Sequence, residues 1–136
     1  MKAAKTRKDV TKLLNNKTMN GDTYAERRRV MAWVYRARDL LDEVGYRMPR
    51  VQIRVCEESE RVMGVGRMNG DAIWISASAI HGYTEDQLGF VVLHELGHAV
   101  FGADHREDCP LMRPIVPCAS HVRIRAVEQV FKALAN

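Results

Sequence analysis

The chain has 136 residues and a mass of 15.5 kDa, with 46% hydrophobic and 28% charged residues, a composition that fits one globular domain and excludes a fibrous or disordered chain. No apolar run approaches the roughly 18 residues that span a bilayer, and no hydrophobic segment of signal-peptide type follows the N-terminus, so a cytoplasmic protein without membrane partners is expected. The formal charge of +4 is uneven: residues 1–50 hold 13 Lys/Arg against 6 Asp/Glu, whereas residues 51–136 hold 8 against 11.

That asymmetry has two readings. A basic N-terminal third attracts nucleic acid or another polyanion through phosphate charge. The plainer reading is a solvated helix face plus a cationic tail. Three cysteines, Cys56, Cys109 and Cys118, are odd in number and form no secreted disulfide framework. Free thiols in a reducing compartment are expected, with a Cys109–Cys118 bridge as the alternative.

Residues 1–20 are polar and basic and read as a flexible arm ahead of a single domain over 21–136. Asp22 or Thr23 can cap a long helix to about Val44, with Val30, Trp33, Val34, Ala37, Leu40, Leu41 and Val44 at helical spacing and Gly45 as the stop. After Pro49, the alternation in Val51-Gln52-Ile53-Arg54-Val55 predicts a strand. A second strand is expected over 62–67, a tight turn at Asn69-Gly70, and a third strand over Ala72–Ser76. The glycines at 64, 66 and 70 have the wrong spacing for a dinucleotide loop. Thr84 and Gln87 form a capping-box pattern, starting a helix that ends near Gly102. Residues 103–117 read as loop, and a last helix is expected from about Ser120 to Leu134.

The informative segment is His94-Glu95-Leu96-Gly97-His98. Residues four apart lie on one helix face, so His94 and His98 can chelate one cation. Glu95, beside the first ligand, is placed to take a proton from a metal-bound water. Zinc suits imidazole and brings the pKa of its bound water to about 7. A catalytic zinc keeps three protein ligands and an open position, so a third ligand must follow the helix, where Gly102 can turn the chain back.

With this extension, His94 to His105 resembles the signature HExxHxxGxxH of the metzincin metallopeptidases. Cys109-Pro110-Leu111-Met112-Arg113-Pro114 looks like the methionine turn of that family, with Met112 beneath the metal. The resemblance spans about residues 72–134. It implies an α+β, minimal zincin-like fold: a small twisted mixed sheet, a long N-terminal helix, an active-site helix, a methionine turn and a C-terminal helix. It also implies zinc-dependent hydrolysis of peptide bonds, one catalytic Zn2+ held by His94, His98 and a third residue, Glu95 as general base and then acid, and a peptide or protein substrate. The family's substrate-binding edge strand would be Ala72–Ser76, pairing with the substrate backbone.

One departure from the signature leaves the third ligand open. Gly102 stands four residues after His98 instead of three. Keeping Gly-x-x-His selects His105; keeping the count from His98 selects Asp104, as in snapalysin-like metzincins. His105 is preferred because imidazole is the commoner third ligand, and Asp104 would then orient a ligand from outside. Trp74 is expected in the core, His81 and His121 on the surface, and Tyr83 is a weak candidate for an oxyanion donor. Two other readings compete. One is similarity to SprT-like proteases that act on DNA-bound proteins, with the basic N-terminal third as tether. The other is a non-enzymatic, zinc-stabilised module whose basic helix binds a polyanion or protein.

Overall fold

The computed structural model describes residues 21–56, 64–66, 70 and 72–136. The expected arm over 1–20, most of the flanks of the second strand and Asn69 of the tight turn lie outside the described residues.

Helix α1 spans Gly21–Glu43, and strands β1, β2 and β3 span Gln52–Cys56, Gly64–Gly66 and Ala72–Ser76. Three further helices follow: α2 (Ala77–Gly82), α3 (Glu85–Phe101) and α4 (Ile124–Ala133). This is the expected α+β architecture with a mixed sheet.

Helix α1 buries Val30, Val34, Ala37, Leu40 and Leu41, one stripe at helical spacing. Its end is set by Gly45, whose φ of 75° lies in the left-handed region. Tyr46 N–H closes back on the Leu41 carbonyl at 2.9 Å. Val44 lies between the last helical residue, Glu43, and this stop and is 40% exposed, against the expectation that it joins the apolar stripe. Trp33 packs its indole so close to α3 that a Cβ at Gly89 would stand 2.6 Å from the ring. Its Nε1 donates to Glu85 at 3.1 Å. Gly89 is thus needed for the close approach of α1 and α3.

The sheet order is β1-β3-β2, with β1 parallel and β2 antiparallel to β3. Ile53 and Val55 pair with Ile73 and Ile75, and these four enter the core shared with the helices. All five residues of β3 are buried, Trp74 among them as expected. Their position explains it, because β3 is the central strand. That corrects the sequence expectation for Ala72–Ser76: both of its sides are occupied, and among the described residues the outer strands are β1 and β2.

Two local features escaped the pattern reading. Ser76 caps α2 directly after the strand, its hydroxyl accepting from Ala79 N–H at 3.0 Å. The last helix starts at Ile124 and not near Ser120. A single 3-10 turn, Ala119–His121, the extended Val122 and the N-cap Arg123 precede it. Buried Val127 and Phe131 hold α4 to the core.

Candidate metal centre

Helix α3 carries the first two histidines, and its ends are chemically specified. Thr84 accepts from Gln87 N–H at 3.2 Å, while the Gln87 side chain accepts from Thr84 N–H at 3.1 Å, the full capping box. At the other end Gly102 adopts φ 64°, and its N–H returns to the His98 carbonyl at 3.0 Å. This left-handed cap reverses the chain over the helix end. The central part of α3 is buried on all sides, so His94, Glu95 and His98 are 0%, 1% and 8% exposed.

His94, His98 and His105 converge. Their ligand-capable atoms all lie within 4.8 Å of one another. His94 Nε2 stands 3.2 Å from His98 Nε2 and 3.2 Å from His105 Nε2. The other ring nitrogens of the helical pair are tied to backbone: His94 Nδ1 donates to Leu111 O at 2.8 Å, and His98 Nδ1 donates to Ala103 O at 2.6 Å. Those two bonds fix the tautomer. With Nδ1 protonated, Nε2 of each ring is a bare lone pair aimed at its neighbours.

The bare Nε2 lone pairs of His94 and His98, 3.2 Å apart, repel, and a cation between them relieves that repulsion. Nitrogens on a tetrahedral zinc at about 2.0–2.1 Å are separated by about 3.3 Å, so the two 3.2 Å spacings match the donor set of such an ion. Electrostatics agrees with geometry. Burial pushes His94 down to about 3, with the Leu111 hydrogen bond working against it and the neighbouring imidazoles adding to it. His98 and His105 are also lowered, burial again being the largest cause. Neutral imidazole is the ligand form.

Of the two candidates for a third ligand, the structure brings His105 into the cluster. Asp104 is exposed and lies outside it. Its charge still reaches the site, opposing the downward shifts of His98 and His105. Among the described residues no fourth His, Cys, Asp or Glu joins the three imidazoles. Glu95 follows His94 directly on α3.

Met112 is buried beneath α3. A Cβ at Gly97, inside the histidine motif, would come within 2.8 Å of the Met112 sulfur and 3.4 Å of Leu134 on α4's C-terminal side. The loop that carries Met112 is closed by Arg106 N–H donating to Met112 O at 2.8 Å and by Met112 N–H donating to Cys109 Sγ at 3.2 Å. Cys109 and Cys118 are free thiols, with no bridge between them. His121 instead sits beside Cys118, and His81 pairs with Glu26, so neither histidine joins the centre. Tyr83 packs against the core, where burial raises the pKa of its phenol.

Sequence reasoning missed the carbonyls of Leu111 and Ala103, which orient the rings. The backbone carries no residue-type signal for such a role; Gly97 is the one visible trace, a small residue where a loop must approach.

Compared with protein-family models, with curated proteins and with solved structures, the chain matches none. The centre stands on its own geometry. Among the described residues, no helix is long and apolar enough to cross a membrane.

Proposed function

We propose that the protein is a zinc-dependent metallopeptidase of minimal metzincin type, with His94, His98 and His105 as the metal ligands and Glu95 as the general base. The observation that carries this reading is the convergence of three imidazoles, two of them oriented by backbone carbonyls, with no fourth ligand among the described residues. A structural zinc site is ordinarily closed by four protein ligands, commonly including cysteine, whereas Cys109 here accepts a backbone hydrogen bond outside the cluster.

Zinc bound there would supply Lewis acidity toward a carbonyl and bring the pKa of water near 7. The chain's own residues would do the rest. The Leu111 and Ala103 carbonyls hold the rings so that donor positions are set before a metal arrives. Glu95 takes a proton from the attacking water at its carboxylate and returns it to the amine that leaves. Its burial excludes bulk solvent from that transfer. Because β3 is flanked on both sides, an extended substrate that pairs with the sheet would have to use the outer side of β1 or β2.

Glu95→Gln tests the role assigned to Glu95. The variant should bind zinc as the parent does and lose about 10²- to 10⁴-fold in peptide hydrolysis. Cleavage at the parent rate, with zinc content equal, would remove Glu95 from the mechanism.

A further inference from the structure

The basic excess of the N-terminal third separates into two populations. Arg29 is paired with Glu85 and donates to the Ile80 carbonyl, and Arg36 makes a two-pronged contact with the nearly buried Glu128 at 2.9 and 3.0 Å. These two are already paired with carboxylates of the fold. Four others, Arg27, Arg38, Arg47 and Arg50, join Arg54 of β1 in lining one groove of about 980 Å³ between α1 and the segment leading into β1.

Among the described residues, Asp42 is the only carboxylate in the lining of that groove. No described carboxylate forms an ion pair with any of the five arginines. Among the described residues their polar contacts are to neutral groups: Arg27 donates to Ile53 O at 3.2 Å, and Arg54 to the Gln52 side chain at 3.1 Å. The first of these anchors Arg27 across the groove without cancelling its charge. Arg38, Arg47, Arg50 and Arg54 are exposed.

An aromatic surface accompanies the charge. Tyr35 is 50% exposed on the groove wall, and the Arg38 guanidinium lies 5.0 Å from its ring centroid. An adjoining hollow on the same helix continues the surface with Arg28 and with Tyr24, which is 70% exposed. Guanidinium groups that track a phosphate chain, interleaved with open aromatic faces, form the recognition chemistry of single-stranded nucleic acid. A concave cleft with stacking faces suits unpaired bases, whereas duplex readers insert a convex helix or ribbon into a groove.

We propose that the groove between α1 and β1 binds single-stranded nucleic acid, the arginines contacting phosphates and Tyr35 stacking on a base. The site is separate from the histidine centre and does not depend on the peptidase reading. Zinc content and peptide hydrolysis therefore serve as independent readouts.

The test is anisotropy of a short labelled oligo(dT) with the full chain over a salt series. Five phosphate contacts on a single strand predict a log–log salt slope of about −3.5, so affinity falls roughly a hundredfold between about 50 and 200 mM salt. Replacing Arg47 and Arg50 together by Gln should flatten the slope by about 1.4. Tyr35→Ala should weaken binding roughly 5- to 150-fold. Arg125→Gln, on the exposed side of α4, should change neither quantity. Unaltered circular dichroism and thermal midpoint certify folding, as expected for substitutions at exposed positions. Absence of binding at low salt overturns the proposal, as does a salt slope untouched by the Arg47/Arg50 variant. Equal or tighter binding of a matched duplex overturns the single-strand assignment. Equal competition by polyaspartate, with Tyr35→Ala silent, overturns the nucleic-acid assignment.

Discussion

The imidazole of His94 and the carbonyl of Leu111, 17 residues apart in the chain, meet at 2.8 Å. That hydrogen bond makes the methionine-bearing loop part of the histidine cluster. It sets which nitrogen of His94 is free, and the same loop lays Met112 under Gly97 of the histidine helix. Loop and helix therefore respond to one another's substitutions.

The choice between His105 and Asp104 is open to a paired measurement. His105→Ala should lower zinc affinity by more than the roughly 10- to 100-fold typical of outer contacts, because it deletes one of three donors. Asp104→Ala should keep zinc at stoichiometric occupancy, since its carboxylate acts only through space. Metal content after dialysis against a graded chelator reads both. The reverse ranking would reassign the third ligand.

Acid should destabilise the metal-free protein through its histidines. His94 is held at about 3 in the folded state against an ordinary 6.5, and His98 and His105 shift the same way. As pH drops below about 6.5, the unfolded chain takes up protons at these positions and the folded chain does not. The unfolded state then binds more protons, so stability is complete above the ordinary value and declines as pH falls toward about 3. Urea midpoints of chelator-treated protein should be lower near pH 5 than near pH 7.5. His94→Gln should remove part of that difference. Midpoints that do not move with pH would contradict the assignment of buried, neutral imidazoles.

Gly97→Ala forces a methyl group to within 2.8 Å of the Met112 sulfur. Such overpacking costs about 1–3 kcal/mol. Because displacement of Met112 drags on Leu111 O, zinc affinity should fall as well. Met112→Ala removes the obstacle, so the double variant should be less destabilised than the sum of the singles. Denaturant titration of the four proteins in the cycle gives the coupling. Strict additivity would show that the contact is not a constraint.

At Gly102 the backbone φ of 64° penalises any side chain. Gly102→Ala should lose about 1–2 kcal/mol of stability. Its second effect is on the site, since the turn places both Ala103 O, the acceptor for His98, and His105 itself. Weaker zinc binding should accompany the stability loss, read by chelator competition at a temperature where the variant is fully folded. Retention of parent affinity would separate the turn from the centre.

Much of this was legible in the residues. The long first helix follows from the spacing of Val30 to Leu41, and the ends of α3 follow from Thr84, Gln87 and Gly102, because local hydrogen bonds and backbone strain set them. The i, i+4 histidines needed only helical geometry to share a face. Long-range relationships were not legible. That Ala72–Ser76 is the central strand depends on which strands find its two sides, and period-two alternation carries no such information. The start of α4 was misjudged because Val122 is buried in extended backbone and resembles a helical apolar position.

That two imidazoles and a glutamate share a capped helix, and that a glycine reverses the chain just beyond it, follows from residue order, since both depend on neighbours within one or two turns. Only the tertiary structure decided that His105 and not Asp104 enters the cluster, that Leu111 and Ala103 orient the rings, and that five arginines share a groove while Arg29 and Arg36 are paired with carboxylates. Each of those outcomes depends on which distant groups meet across the fold, and that is set by burial of the shared core.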